Sequence, residues 1–245
     1  MRLQFLGTGG YHPNERRHTA CLMLPEIGVI LDAGTSFFRV AERLATPEVD
    51  IFLSHSHLDH VVGLTYFLVP MFTHKVTRAR VYSAPEYLEA VQQHLFAGPV
   101  FPVLPGYEYR PLPDEVPLSG GGVLRHVRLK HPGGSIGYRL DWPGRSLAYI
   151  TDTTAAEGNY LDFIRGVDVL VHECNFPDAQ IEFAAKTGHS SLRPVAELAR
   201  DAGVGRLFLV HIDPEDASDD PLGLPEGRAI FPRMEIAEDL LEIEF

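Results

Sequence analysis

With 245 residues, 45% of them apolar and 22% charged, the chain can bury a core without disulfide staples and can form one layered domain or two small ones. A formal net charge of −12 repels a phosphate backbone and an anionic membrane surface, which disfavours nucleic-acid and membrane partners unless basic residues cluster. No apolar run approaches the ~18 residues of a bilayer span, the opening MRLQFLGTGG is too short a stretch for a secretory signal, and Cys21 and Cys174 both sit in apolar runs as buried thiols. The expected location is the cytoplasm.

Short β-rich runs open the chain in RLQFLG, ACLML and GVILDAG, and a brief helix is expected over 38–44. A buried strand follows in DIFLSH. SAPEYLEAVQQHLF carries apolar residues at helical spacing behind Ser83 and Pro85, which suit a helix start. VLRHVRLKH and SIGYRLDW alternate as strands do, and RSLAYITD is a further strand. YLDFIRG predicts a short helix, VDVLVHE a strand, SLRPVAELARDAG a helix, RLFLVHI a strand and LLEIEF an edge strand. The Pro-, Asp- and Gly-rich piece 213–227 reads as a long loop. This order, strands first and helix–strand alternation later, predicts an α/β chain built as an αββα four-layer sandwich. No repeat or linker interrupts it, so one domain over 1–245 is expected.

The stretch LSHSHLDHVVGL, residues 53–64, places three histidines and an aspartate within six positions after an apolar run. Alternation at a strand end would point His55 and His57 the same way, with Asp59 and His60 in the following turn. Two imidazoles beside an offset carboxylate and imidazole suit two adjacent metals better than one. A polar turn of exposed histidines is the competing reading, and the density argues against it. His131 ends VRLKH, Asp152 follows LAYIT and His211 follows LFLV, each where a buried apolar run stops. Any one of them alone is more often a loop residue. Together with the first cluster they point to metal.

HxHxDH at 55–60, followed by a His, an Asp and a His at later strand ends, resembles the metallo-β-lactamase-fold hydrolases. The likeness spans nearly the whole chain from FLGTGG at 5–10. It implies that His55, His57 and His131 hold one metal, that Asp59, His60 and His211 hold the other, and that Asp152 bridges them. KHPGGSIGYRL at 130–140 is similar to the H-x-x-x-S-x-G-Y-R element of ribonuclease Z and related phosphodiesterases. ITDTT at 150–154 resembles their G-D-T element, and HECNF at 172–176 with GHSS at 188–191 resembles their HEA and HS pair. Glyoxalases and true lactamases do not usually carry this combination. One departure stands out: only PGGSIGYRLDWPGRSLAYIT separates His131 from Asp152, which leaves no room for the basic tRNA-gripping arm of ribonuclease Z. The spacing is closer to that of a small phosphodiesterase acting on cyclic phosphates, although that enzyme's cysteine-rich zinc site is absent here.

The resemblance implies two divalent transition metal ions, Zn2+ or Mn2+, supporting a metal-bridging hydroxide and neutralising the phosphate oxygens. Asp59 would also orient that hydroxide. His189, in TGHSS, is the candidate proton donor to the leaving alkoxide; without the resemblance it would read as a histidine at a helix start. His172 and Glu173 are candidates to orient a neighbour. Arg16, Arg17 and His18 either meet a phosphate or form a solvated basic turn, and Arg125, Arg128 and Lys130 form an alternating basic stripe. His12, His74, His94 and His126 carry no motif support. YFLVPMF and FAGPVFPVLPG either roof a pocket or form a homodimer contact. The expected function is hydrolysis of a small phosphodiester or cyclic nucleotide, with a small molecule as partner. The alternatives are ribonuclease Z-like tRNA 3′ processing and a non-hydrolytic metal-binding or cofactor-biosynthesis protein on the same fold.

Overall fold

Strands β1 (Arg2–Gly7), β2 (Cys21–Leu24), β3 (Val29–Leu31), β4 (Glu48–Phe52), β5 (Arg78–Ser83) and β6 (Glu108–Pro111) lie side by side in that order in the computed structural model, with Glu242–Glu244 paired outside β1. That model describes every residue except Gly158 and the side chain of Glu157. Pairing is antiparallel from the outer edge through β3 and parallel from β3 to β6. Runs such as CLML and VIL are buried at every position, because a parallel or central strand covered on both faces has no side left for polar residues. This sheet belongs to one unit, Met1–Pro113 with Glu238–Glu244. Its core packs Met23, Ile30, Ile51 and Val81 against Phe37 and Val40 of the 3₁₀ helix Thr35–Glu42, Leu64 and Phe67 of Val62–Phe67, and Leu88 of the helix Pro85–Ala90.

The other unit, Asp114–Ala237 with Phe245, holds β7 (Glu115–Leu118), β8 (Gly122–Leu129), β9 (Ser135–Trp142), β10 (Arg145–Ile150), β11 (Val169–Glu173), β12 (Arg206–Val210) and β13 (Met234–Ile236). The sheet is an antiparallel meander from β7 to β10 and parallel from β10 to β13. The helix Leu192–Ala202 covers one face, burying Leu192, Val195, Ala196 and Ala199 in a core shared with Ile150, Leu170, Leu207 and Leu209. Gly203, at φ +64°, ends that helix in the left-handed conformation that a side chain would oppose.

Several boundaries differ from the sequence reading. DIFLSH is a strand only as far as Phe52, so His55 and His57 leave from a loop and not from alternating strand positions. VRLKH likewise stops at Leu129, two residues before His131. The expected loop over 213–227 gives way at its end to the helix Leu224–Ile230, whose first amides, Gly223 and Leu224, donate to the Asp220 carboxylate. The helix predicted by SAPEYLEAVQQHLF begins with Pro85 at its first turn and finishes as a π-helical turn over Val91–Leu95. Among the described residues, no helix is long and apolar enough to cross a membrane.

Candidate metal centre

In the first unit the histidine loop is anchored to the end of β3. Gly63 N–H donates to Ala33 O (2.8 Å), and Ala33 N–H donates to His60 O (2.8 Å). A Cβ at Gly63 would meet Gly34 O and the Phe37 side chain at 2.3 Å, so only glycine lets the two segments approach this closely. At the end of β3 stands Asp32, fully buried, with a left-handed φ of 60°. Its carboxylate accepts from Ser54 N–H (2.7 Å), Ser54 Oγ–H (2.8 Å) and His60 Nδ1 (2.8 Å). His55 Nδ1 in turn donates to Ser54 Oγ (2.9 Å). The aspartate thus fixes a chain of hydrogen bonds that gives both imidazoles the Nδ1–H tautomer, leaving each Nε2 lone pair for another partner. The rings of His55 and His57 lie 4.4 Å apart, those of His55 and His60 4.3 Å, and His60 Nε2 stands 3.3 Å from Asp59 Oδ2. Asp59 Oδ2 also accepts from Tyr11 N–H (3.0 Å).

The second unit repeats the device. His131 Nδ1 donates to Gly188 O (3.0 Å), and His211 Nδ1 donates to Asn175 Oδ1 (3.2 Å). The opposite nitrogens, His131 Nε2 and His211 Nε2, stand 3.6 Å and 3.4 Å from the two oxygens of Asp152. Asp152 comes one residue after the end of β10 and His211 directly after β12, and both take positive φ angles, 23° and 58°. Non-glycine residues rarely adopt that region, and such departures concentrate at functional sites. His189 stacks on His211 (5.0 Å between centroids, 23° between planes), and its Nδ1 lies 3.6 Å from Oε1 of the fully buried Glu173. Glu173 is positioned by Thr153 N–H, which donates to Oε1 (3.1 Å).

Four of the imidazoles therefore have Nδ1 committed to a protein acceptor, which is how metal-binding histidines are usually held. Among the described residues, the groups able to hold an ion are His55, His57, His131 and Asp152; Asp59, His60 and His211; and Asp152, His189 and His211. These are two clustered metal-ligand sites, and the third group admits His189 as a ligand beside Asp152 and His211. Neutral imidazole and carboxylate donors suit zinc or manganese and are too hard for a copper(I) site.

The sequence reading missed four residues here. Asp32 obeys the rule that identified Asp152, a carboxylate where the apolar run VIL stops, and could have been found the same way. Ser54, Asn175 and the Gly188 carbonyl left no such signal. His172 is fully buried: its Nδ1 donates to Glu173 O (2.6 Å) while the Tyr160 hydroxyl donates to its Nε2 (2.7 Å). Burial pushes the His172 pKa down and the Tyr160 pKa well up, which keeps both neutral. Burial likewise raises both cysteine thiols, so neither is a reactive thiolate.

Of Arg16, Arg17 and His18, Arg16 is solvent-exposed as a solvated turn requires, His18 is half-buried and Arg17 is buried. Arg16 and Arg17 both reach Glu238 Oε1 (2.7 Å each), Arg17 also donates to Thr8 Oγ1 (2.6 Å), and His18 N–H donates to Asp239 (2.9 Å). These groups pin the returning C-terminal segment to the first turn of the chain. In the proposed basic stripe, Arg125 is spent on Glu115 and Asp141.

Residues 28–212 match the family described as "Beta-lactamase superfamily domain". Ribonuclease Z of Cyanothece sp. is 30% identical, over all of this chain and 95% of its own length; the alignment runs to 310 positions, so that relative carries segments with no counterpart here. The metallo-β-lactamase fold protein YhfI of Bacillus subtilis superimposes with a TM-score of 0.81 at 19% identity, covering 99% of each chain. A diphosphatase of the PhnP family gives 0.76 at 22% identity, covering 100% of this chain and 97% of its own. The architecture is accordingly an αβ/βα sandwich with mixed sheets flanked by helices, as the order of elements predicted. The chain belongs to the metallo-β-lactamase fold superfamily, in the branch that holds ribonuclease Z.

Proposed function

We propose that this protein is a dinuclear-metal phosphodiesterase acting on small phosphodiesters, with cyclic nucleotides as the first natural candidates. In this reading His55, His57 and His131 hold one ion, Asp59, His60 and His211 hold the second, and Asp152 serves both. The observation that supports it is the Nδ1 anchoring of His55, His60, His131 and His211, which makes Nε2 the nitrogen each would offer to an ion within the groups able to hold one. Divalent ions there supply Lewis acidity toward water and toward the phosphoryl oxygens.

The protein's own groups do the rest. Asp59, steadied by Tyr11 N–H, orients the attacking water and accepts its hydrogen bond. His189 gives a proton to the departing oxygen. Glu173, buried at 3.6 Å from His189 Nδ1, keeps the ring turned for that transfer. Burial of His55, His60, His211 and Asp152 away from bulk water strengthens the interactions they make, whereas His57 is exposed.

The name shared by the curated relatives supports a second reading, tRNA 3′ processing. The lack of an insertion between His131 and Asp152 and the net charge of −12 favour the small substrate, because a long nucleic acid would find few cations outside the site. Side-by-side turnover of 2′,3′- and 3′,5′-cyclic nucleotides and a pre-tRNA, each across a salt series, tests the choice. Small diesters should be hydrolysed with a shallow salt dependence. Efficient site-specific pre-tRNA cleavage beside negligible turnover of the cyclic nucleotides would reverse the ranking. Elemental analysis after reconstitution should find up to two transition metal ions per chain, and Asp152→Ala should weaken both together.

A further inference from the structure

The two proline-containing apolar stretches at 66–72 and 96–106 share one face of the first unit. The helix Leu68–Phe72 is apolar at every position and yet buries none of its residues. Tyr107 Oη–H donates to Leu64 O (2.7 Å), and a Cβ on Gly106 would meet Met71 Cε at 3.5 Å, so the two stretches abut. Leu58 and Val100 line one cavity and join the same face. More than half of the large apolar side chains exposed among the described residues lie between 58 and 72 or between 100 and 104. Leu58, Val69, Phe72, Val100, Val103 and Leu104 are each more than half exposed, Phe72 by 83% and Val100 by 82%. At ~150–200 Å² for a whole side chain they present roughly 700 Å² of apolar surface, above the ~300–600 Å² of the largest patch on an ordinary monomer.

We propose that this face is a symmetric interface with a second copy of the chain. Charge decides the occupant. Neither 60–74 nor 90–107 contains an aspartate, glutamate, lysine or arginine, although 22% of the whole chain is charged. Two chains of net charge −12 repel one another over most of their surface, and a charge-free face lets them touch without opposing like charges. A two-fold axis sets the patch against itself, and an uncharged patch is complementary to itself. The same acidity repels an anionic membrane, and no lysine or arginine within these stretches offsets it. The area fits as well: roughly 700 Å² approaches the ~800 Å² per partner that a specific interface buries. Pro99, Pro102 and Pro105 hold φ near about −65°, so their segment loses little freedom on association. None of this depends on the phosphodiesterase reading.

Sedimentation equilibrium of the full chain at micromolar concentration should give twice the 27.2 kDa chain mass. Phe72→Glu and Val100→Glu each alter an exposed side chain and place two like charges in the buried interface, one from each copy. Each should weaken dimerisation about 100-fold or more, the scale of a lost interface anchor, at unchanged far-UV circular dichroism. If one variant misfolds, the other decides. Phe183→Glu, which alters an exposed apolar side chain of the other unit, should leave the dimer intact. Added salt should tighten the wild-type dimer, because it screens the repulsion between two acidic chains. A wild-type monomer throughout the micromolar range would overturn the proposal, whatever other partner then covers the face. So would a dimer that both patch substitutions leave intact, or one that salt dissociates.

Discussion

Asp32 Oδ2 lies 2.8 Å from His60 Nδ1, with both side chains fully buried, and the same carboxylate holds Ser54, which holds His55. One aspartate that is not a candidate ligand therefore sets the tautomer of two that are. Asp32→Asn keeps the shape but brings an NH₂ that can donate to His60 Nδ1, which favours the tautomer with the proton on Nε2. Metal affinity should fall ~10- to 100-fold by competition with a chromogenic chelator, at nearly unchanged far-UV circular dichroism. Affinity equal to wild type would mean that the network does not control ligation.

His189→Ala should leave metal content nearly intact unless its place beside Asp152 and His211 makes it a ligand. As a proton donor it should contribute ~10²- to 10⁴-fold in kcat on an alkyl leaving group, and much less on p-nitrophenolate, which departs without a proton. Comparable losses on both leaving groups would assign His189 to positioning. Glu173→Gln should reproduce part of the same leaving-group dependence, read as the ratio of kcat on the alkyl and p-nitrophenolate substrates.

The buried His172 makes stability depend on pH. Its folded-state pKa is depressed by burial below the ordinary 6.5, while in the unfolded chain it returns to that value. Above 6.5 neither state is protonated at this site and the neutral ring carries no penalty. As pH falls from 6.5 toward the depressed value, the unfolded chain takes up a proton that the folded one refuses. Stability then drops by at most ~1.4 kcal/mol per pH unit from this group. Urea midpoints between pH 8 and 5 should fall more steeply for the wild type than for His172→Gln. Parallel curves would show that the ring is not desolvated in solution.

Arg17 is 3% exposed, and burial lowers its pKa despite the partly exposed Glu238 beside it. Its bonds to Thr8 and Glu238 are structural, so Arg17→Ala should destabilise the fold by about 1–3 kcal/mol, a figure reduced from that of a fully buried pair because Glu238 is solvated. The surviving folded protein should keep kcat/KM within about twofold. A large loss of kcat/KM at unchanged stability would restore Arg17 as a phosphate contact.

The candidate metal ligands were legible in the sequence because the information that marks them is local. HxHxDH is contiguous, and His131, Asp152 and His211 interrupt or end apolar runs in which a polar residue needs a reason. Many of the strands were legible for a related cause: strands buried on both faces read as unbroken apolar runs, and the helix Leu192–Ala202 shows its apolar stripe at helical spacing. Asp32 carried the same mark in VILDAG and went unread because no second motif drew attention to it.

What only the tertiary structure decided is which nitrogen each imidazole presents and which charges are already spent. His60 takes its tautomer from a residue 28 positions away, and His131 from a carbonyl 57 positions away. The basic turn at 16–18 is neutralised by Glu238 and Asp239, more than 220 positions distant. The loop departure of His55 and His57, where alternation predicted a strand, belongs to the same class. Sequence spacing specifies orientation only within a regular element. Beyond its end, the hydrogen-bond partner sets the direction of the side chain, and that partner comes from wherever the fold returns the chain.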